Sequence, residues 1–363
     1  GLVPIKAMGD SEANSAFIRN IVAHFMENLK EKCVQIINPS LDVLRKQKIL
    51  SWADEIGANP NLEEFKDRKL TPIKDKWFKP GELDNLKEIR SEYAAVIDCT
   101  AEVGYLNQFT EEEKIEKLNA RVEEICNEVE RAINEGKKDT IILSDENISM
   151  TRQAPTDAVV LRAVMTRLKE KELSPKASII CDSGQSKDPT HSAKLLTLGA
   201  KAVNERSMHE YLQSFAQENG LKYSSTINAY KEAWLGNLAN MMGANGVSAS
   251  RSYTNGLFVF LQNITNEDGM FGKIFKGLKS KVQGMDERDI ASSMIRAQED
   301  SQVQLACFKE LNSEVLNILE SAGLHEIKSK LQDEKTLYGL FSQCFNSFEE
   351  AVFLDDKKER VLA

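Results

Sequence analysis

The chain has 363 residues, of which 41% are hydrophobic and 28% are charged, a composition typical of a water-soluble globular protein. Its 56 acidic and 47 basic side chains give a formal net charge of −9, which excludes nucleic acid as a predicted partner because such binding depends on cations that neutralise phosphates. No apolar run approaches the roughly 20 residues that cross a bilayer, so a membrane is not a predicted partner either.

Residues 1–92 are predicted to form a helical and irregular N-terminal segment. Apolar residues at helical spacing indicate a helix over 15–37, which an Asn-Pro pair ends. A shorter helix is predicted from Leu41 to about Trp52, after a serine that can cap it. Residues 56–92 contain three prolines and are predicted to be irregular.

A repeated strand–helix pattern occupies residues 93–263. Short apolar runs predict buried strands, and stretches that begin with capping signals predict helices between them. The predicted strands cover 93–98, 140–143, 177–181 and 200–203, and the predicted helices cover 110–134, 156–172 and 188–198. Since strands that alternate with helices form parallel crossovers, we predict an α/β fold of parallel βα units, arranged as a half barrel or an open sheet.

The sequence after residue 207 favours helices almost throughout. The predicted helices cover 207–218, 225–242, 253–263, 286–310, 311–322, 326–332 and 335–353. Residues 264–363 are predicted to form a long helical tail. The chain is therefore expected to divide into the N-terminal segment 1–92, a βα module over 93–263 and this tail.

Polar residues stand where the predicted strands end, at the edge where the ligands of parallel sheets bind. The six candidate pocket residues are Ser144, Asp145, Asp182, Ser183, Gly184 and His191. Free amides at a helix start, helped by His191 or Lys187, predict an anion as the ligand. The acids Asp145 and Asp182, with Asp98 at the end of the first strand, are also compatible with metal binding, with acid–base chemistry, or simply with capping of the turns that follow.

The sequence lacks the usual signatures of a cofactor site or a catalytic centre. It contains no G-x-G-x-x-G or Walker motif, no G-x-S-x-G elbow and no H-E-x-x-H zinc spacing. Its six cysteines are nowhere closer than 27 residues, which excludes a C-x-x-C metal or redox site and predicts a reducing compartment, cytosolic or organellar. Of these two, the cytoplasm is our prediction. We therefore predict no catalytic residue, no metal and no cofactor in this chain.

Five stretches, in one order over residues 8–260, carry a resemblance to a known family. They are Met8-Gly9-Asp10 with the later Asn38-Pro39-Ser40-Leu41-Asp42; Ile142-Leu143-Ser144-Asp145; Ser183-Gly184; His191 with Leu195, Leu196, Gly199 and Ala200; and Gly246-Val247-Ser248 with Ser252-Tyr253 and Leu257-Phe258. These stretches resemble the central domain of glutamate synthases. Gln185 stands where that family usually has Glu, and the lysines that precede its last motif are missing here.

The resemblance implies a non-catalytic scaffold of glutamate biosynthesis, with a fold like half of a flavin barrel. It implies a glutaminase-type and a flavin-type domain or subunit as partners, between which the module supports the passage of ammonia. The family's glutaminase step needs an N-terminal Cys, where this chain has Gly1, and its synthase step needs FMN and an iron–sulfur cluster on closely spaced Cys. No catalytic residue of the family is therefore carried onto this chain.

Two other interpretations stay open at the level of sequence. The chain is compatible with a stand-alone interaction or regulatory protein that reuses this fold, which would suit its diverged motifs and long helical tail. It is also compatible with a small-molecule enzyme whose pocket lies at the strand ends.

Overall fold

The computed structural model describes residues 25–26, 28–32, 50–59, 70–105, 108–149, 151–186, 188–296 and 298–299. The predictions for the start of the first helix, for most of the helix from Leu41 and for the chain beyond 299 lie outside these residues. The resembling stretches at 8–10 and 38–42, and Lys187, lie outside them as well.

Strands and helices alternate through the middle of the chain. In chain order, the strands are β1 Leu29–Glu31, β2 Asp54–Ile56, β3 Thr71–Ile73, β4 Ala94–Asp98, β5 Ala101–Glu102, β6 Thr140–Ser144, β7 Arg152–Gln153, β8 Ser178–Ser183, β9 Ala202–Glu205 and β10 Val259–Leu261. The helices are α1 Glu82–Ile89, α2 Glu111–Asn134, α3 Asp157–Glu170, α4 Pro189–Leu198, α5 Arg206–Glu218, α6 Tyr223–Ala244, α7 Ser250–Tyr253 and α8 Gly269–Ile274, and residues 287–296 are helical too. Within the described ranges, no helix combines the length and the apolar character needed to cross a bilayer.

A four-stranded parallel sheet with the order β4-β6-β8-β9 forms the centre of the fold. Helices α2, α3 and α4 each link one of these strands to the next, which confirms the predicted parallel βα units. The ends of these strands and helices fall within two residues of the predicted ones. The spacing of apolar runs and capping residues was therefore sufficient to place this part of the fold.

Helix α2 begins at the capping box that the sequence predicts. Thr110 Oγ1 accepts a hydrogen bond from the amide of Glu113 at 3.2 Å, and the Glu113 carboxylate accepts one from the amide of Thr110 at 2.8 Å. These bonds satisfy amides that a helix start otherwise leaves without a partner. Val122, Ile125 and Val129 follow at helical spacing and are buried in the main core.

Within the N-terminal segment, residues from β2, β3 and α1 cover the face of the sheet opposite α2, α3 and α4. Phe78 packs there with Ile142 and Ile180, whose side chains point away from those helices because alternate residues of a strand face opposite sides. The backbone of the segment also pairs with the edge strand β9. The Phe78 amide donates to the Val203 carbonyl at 3.1 Å, and the Val203 amide donates to the Lys76 carbonyl at 2.9 Å.

The same segment corrects the expectation that residues 56–92 are irregular. Strands β2 and β3 pair in antiparallel fashion, and α1 buries Leu83 and Leu86. The helical pattern is weak in the sequence because only two of the eight residues of α1 are buried. Gly81 precedes the helix with φ 80°, a left-handed conformation that glycine adopts at little cost.

Strands β1 and β10 are a second correction. They lie within the segments 15–37 and 253–263, both predicted to be helical, and pair in antiparallel fashion with Lys30 opposite Phe260. The apolar residues of both segments fit a helical spacing. The strands depend instead on a partner far along the chain, which local spacing does not reveal.

The remaining corrections concern the ends of predicted helices. Ser51 forms a β-bridge with Ala249, so the helix predicted up to Trp52 does not include its last residues. After α7 the described chain contains β10, the short α8 and connecting loops, which interrupt the nearly continuous helices expected there. The helical residues 287–296 agree with the start of the helix predicted over 286–310.

Candidate functional site

The carboxyl ends of the central strands bring most of the predicted pocket residues together. Asp98, Ser144, Asp182 and Asn204 are paired in one row across this edge of the sheet. Five of the six predicted residues, all except His191, lie in this row or within two residues of it along the chain. The side-chain contacts at this edge therefore decide what the predicted pocket can do.

Arg206, the first residue of α5, holds two of the acids together. Its Nη2 donates a hydrogen bond to Asp145 Oδ1, and its Nη1 lies 3.0 Å from Asp182 Oδ1. The two carboxyl side chains are only 4% and 2% exposed, so the guanidinium compensates charges that water barely reaches. Arg206 was not among the predicted site residues, although its position directly after the fourth strand places it at this edge.

Asp182 also connects three strands of the sheet. Ser144 Oγ on β6 donates to Asp182 Oδ2 at 2.8 Å, and Asn204 Nδ2 on β9 donates to Asp182 Oδ1 at 2.8 Å. With Arg206, these donors engage both oxygens of the carboxylate. Asp182 and Ser144 thus stabilise the edge of the sheet through contacts with each other.

The turn after β8 is closed by side chains of the protein itself. Ser183 Oγ accepts hydrogen bonds from the amides of Gln185 at 3.0 Å and Ser186 at 2.9 Å. The Gly184 amide donates to Asp145 Oδ1 at 2.8 Å. The amides of this turn are therefore bound within the chain and are not available to an anion.

His191 lies in the first turn of α4, and its side chain is 8% exposed. Its Nε2 lies 3.7 Å from Oδ2 of Asp188, which caps the same helix. Asp188 Oδ1 also accepts the amides of Thr190 at 2.6 Å and of His191 at 2.9 Å. These contacts place His191 with the cap of its own helix, whereas the other five predicted residues meet around Asp145, Asp182 and Arg206.

Asp98 caps the turn that follows its strand. Its Oδ1 accepts hydrogen bonds from the amide and the hydroxyl of Thr100, each at 2.8 Å, and its Oδ2 lies 3.1 Å from Nη2 of Arg152. Of the roles weighed for Asp98, turn capping is the one that these contacts support. In the part of the chain that the structure describes, no group of three or more His, Cys, Asp or Glu side chains is placed to hold a metal ion.

A small cavity lies behind this edge, with room for about one water molecule. It is lined by Cys99, Leu143, Asp145, Pro155, Asp157, Val160, Cys181, Asp182, Ser183 and Gln185. Burial raises the pKa of Asp157 to about 6, and the negative charge of Asp145 contributes to this rise. Burial also raises the pKa of Asp145, although the charge of Arg206 opposes the shift. Asp157, which was not predicted, is therefore a second acid of the site and is partly buried.

Glu205, the last residue of β9, is fully buried and accepts four hydrogen bonds from uncharged donors. Its Oε2 accepts from Trp77 Nε1 at 3.1 Å and from the Tyr230 hydroxyl at 2.8 Å. Its Oε1 accepts from Trp234 Nε1 at 3.1 Å and from the Ser192 hydroxyl. Burial raises the pKa of Glu205, and the four donors oppose that shift. This carboxyl group joins the N-terminal segment, β9, α4 and α6.

His209 stands beside this group and is expected to make stability depend on pH. Burial lowers its pKa from 6.5 to about 4, and its Nε2 lies 3.0 Å from the Phe78 carbonyl. In the unfolded chain, His209 takes up a proton at a higher pH than in the folded protein. The free energy of unfolding should therefore decrease as the pH falls below 6.5. Between about pH 7 and about pH 5 this loss should reach about 2 kcal/mol.

The check is urea unfolding at several pH values for the wild type and for His209→Gln, which keeps an N–H donor for Phe78 but does not titrate. As the pH falls over this range, the free energy of unfolding of the wild type should decrease more than that of His209→Gln. An unchanged difference would show that His209 is not held neutral in the fold.

Comparison with known proteins adds an independent observation. The family model for the glutamate synthase central domain matches residues 1–260. A glutamate synthase [NADH] of Schizosaccharomyces pombe is 29% identical over 271 residues, which are 71% of this chain and 12% of that protein. The large chain of a glutamate synthase [NADPH] of Bacillus subtilis is 23% identical over 298 residues, which are 82% of this chain and 19% of that protein. The chain thus spans less than a fifth of the length of either relative.

The similarity to one solved structure is weaker. A double mutant of flavocytochrome b2 with pyruvate bound has 16% sequence identity and a TM-score of 0.32, and the match covers 48% of this chain and 49% of that chain.

Proposed function

The chain belongs to the glutamate synthase central domain family, and from this membership we propose that it is a non-catalytic scaffold of glutamate biosynthesis. In this proposal it holds a glutaminase-type domain and a flavin-type domain at a fixed distance. It also favours the passage of ammonia from the first to the second. Its relatives are the much longer glutamate synthases, so the partners are expected to be domains or subunits of that kind.

The pairing of polar groups at the carboxyl edge of the sheet is the observation that supports a scaffold. Arg206 binds Asp145 and Asp182, and Ser183 binds the amides of its own turn. Groups that bond with each other in this way stiffen the edge. They leave fewer donors and acceptors for a substrate such as an amino acid, which needs several polar contacts at once.

The size of the cavity behind this edge agrees with the same proposal. It has room for about one water molecule, whereas pockets for metabolites of ordinary size are many times larger. A module with such an interior suits the positioning of neighbouring domains better than the conversion of a metabolite.

The test is reconstitution with separately produced glutaminase-domain and flavin-domain proteins of the glutamate synthase type. We expect the chain to co-elute with both in size-exclusion chromatography. We also expect it to raise the yield of glutamate per glutamine consumed, because less ammonia escapes into solution. Ammonia and glutamate would be measured in the same reaction, with an unrelated protein of similar size as the control. Absence of a complex, or equal escape of ammonia with and without the chain, would contradict the proposal.

A further inference from the structure

Residues 279–281 add a third backbone segment to the pair of strands β1 and β10. The Leu261 amide donates a hydrogen bond to the Lys279 carbonyl at 2.9 Å, and the Lys281 amide donates one to the Leu261 carbonyl at 3.0 Å. These residues therefore run parallel to β10, while β1 pairs with the other side of β10 in antiparallel fashion. The side chain of Leu261 is fully buried, so one face of this small sheet packs on the core.

The opposite face carries lysines around a half-buried aromatic ring. Phe260 lies opposite Lys30 in the pairing of β10 with β1, and both alternate with buried leucines, so their side chains point away from the core. Lys281 Nζ lies 4.1 Å from the centroid of the Phe260 ring, which places Lys281 on this face too. Two further lysines, each two residues along from one of these, are also exposed, and the basic face is defined as Lys30, Lys32, Phe260, Lys279 and Lys281.

The positive charges of the basic face are not neutralised within the described part of the chain. There, none of its four lysines forms an ion pair with a carboxylate. Lys32 Nζ donates to the Leu257 carbonyl at 2.9 Å and Lys281 lies over a ring, but neither contact cancels a charge. Glu31 is the acid of β1, and because it alternates with Lys30 it points to the other side of the strand.

This concentration of positive charge contrasts with the rest of the protein. Neighbouring segments of a sheet are about 4.8 Å apart, so four positive charges lie within roughly one Debye length of one another and their potentials add. The whole chain has a formal net charge of −9. A negatively charged partner is therefore attracted at the basic face and repelled by the protein as a whole, which favours a contact confined to this face.

We propose that the basic face binds an acidic segment of a partner polypeptide, an inference that rests on the proposed function for the identity of this partner as one of the two domains that the scaffold holds. Carboxylates of such a segment pair with the lysine ammonium groups. The apolar stems of the lysines and the edge of the Phe260 ring supply the apolar part of the contact.

The contacts of Phe260 favour a polypeptide over a nucleic acid. Proteins that bind single strands stack the bases on exposed aromatic rings. On the basic face the single aromatic ring is half-buried, and the ammonium of Lys281 lies over it. No ring face is left for a base, and the negative charge of the whole chain opposes a phosphate backbone.

The experiment measures binding of a fluorescein-labelled octaglutamate peptide to the full chain by fluorescence anisotropy, at roughly 50 mM salt. An octaglutamine peptide and an oligothymidylate of the same length serve as comparison probes. We expect octaglutamate to bind, its affinity to fall as the salt concentration rises, and both comparison probes to bind more weakly. Tighter binding of the oligothymidylate, or no binding of octaglutamate, would overturn the proposal.

Two double variants locate the binding. Lys30→Glu with Lys279→Glu should weaken the binding of octaglutamate roughly tenfold. Lys74→Glu with Lys169→Glu makes the same change of net charge at exposed lysines elsewhere, and it should bind nearly as well as the wild type. All four positions are exposed, so both variants should unfold at the temperature of the wild type. Equal weakening in the two variants would show that the peptide senses only the net charge, which would also overturn the proposal.

Reconstitution with the partner domains separates this inference from the scaffold role. We expect Lys30→Glu with Lys279→Glu to lose co-elution with one of the two domains and to retain the other. If the variant binds both domains as well as the wild type does, the basic face is not the contact and the scaffold role stands. If the wild type binds neither domain, the scaffold role fails, while the octaglutamate experiment still decides whether the basic face binds an acidic polypeptide.

Discussion

Replacing Glu205 by alanine is expected to lower the free energy of unfolding by about 3–5 kcal/mol. The change leaves the indoles of Trp77 and Trp234 and the hydroxyls of Tyr230 and Ser192 without their acceptor in the core. Each buried donor that loses its partner costs about 1–3 kcal/mol, although rotation of the hydroxyls recovers part of this. The measurement is urea unfolding at neutral pH, followed by tryptophan fluorescence because two of the donors are indoles.

Two further variants make this prediction specific. Glu205→Gln keeps one acceptor oxygen but turns the other position into a donor, so its stability should lie between those of alanine and wild type. Glu210→Ala removes an exposed carboxylate from the helix that follows, and it should change stability by no more than about 0.5 kcal/mol. If Glu205→Ala costs no more than Glu210→Ala, the four hydrogen bonds do not hold these elements together.

Replacing Arg206 by methionine should cost a similar amount, about 3–5 kcal/mol. Asp145 and Asp182 would then be two neighbouring buried carboxyl groups without a cation, and one of them would have to take up a proton or remain uncompensated. Urea unfolding at about pH 7.5 measures this loss. The loss should become smaller as the pH falls, because protonation of the acids removes the repulsion between them.

The matched control for Arg206 is Arg152→Met. Arg152 pairs with Asp98, but the two side chains are 34% and 33% exposed, so the expected loss is at most about 1 kcal/mol. The double variant Arg206→Met with Asp145→Asn removes one of the two buried carboxylates that have lost their cation. It should therefore be more stable than Arg206→Met alone. Equal losses for Arg206 and Arg152, or no recovery in the double variant, would show that Arg206 does not compensate the buried acids.

The parts of the fold that could be predicted from sequence depend on neighbours along the chain. The capping box of Thr110 and Glu113 marks the start of α2 because the residues that satisfy its first amides are only three positions apart. The four parallel strands are short apolar runs between such helices, which predicts parallel crossovers but leaves the order of the strands open. The division of the chain at residues 92 and 263 stays a prediction.

The parts that could not be predicted depend on distant partners. In the pair of strands β1 and β10, Leu29 lies opposite Leu261. The apolar spacing within either segment does not indicate that the two segments pair. Helix α1 was missed because its buried residues, Leu83 and Leu86, acquire a core only when the N-terminal segment lies on the sheet. In both cases tertiary packing decides a conformation that local preference leaves open.

The candidate site shows the same limit. Topology predicts that Asp145 and Asp182 meet at one edge, because both follow parallel strands. It does not predict that Arg206 would bind both of them, or that Asp157 would line the same cavity as Asp145, since these contacts depend on how the starts of α5 and α3 lie on the sheet. His191 stands at the expected end of its helix, but its described contact is with Asp188.

The main-chain bonds between Val203 and the segment around Trp77 determine how this protein can open. If residues 70–89 detached alone, Phe78 and Val203 would lose their backbone partners and Glu205 would lose the indole of Trp77 in the same step. Detachment of these residues therefore breaks all three hydrogen bonds together. We therefore expect residues 70–89 and the edge strand β9 to open together, so that the amide hydrogens of Phe78 and Val203 exchange slowly with solvent.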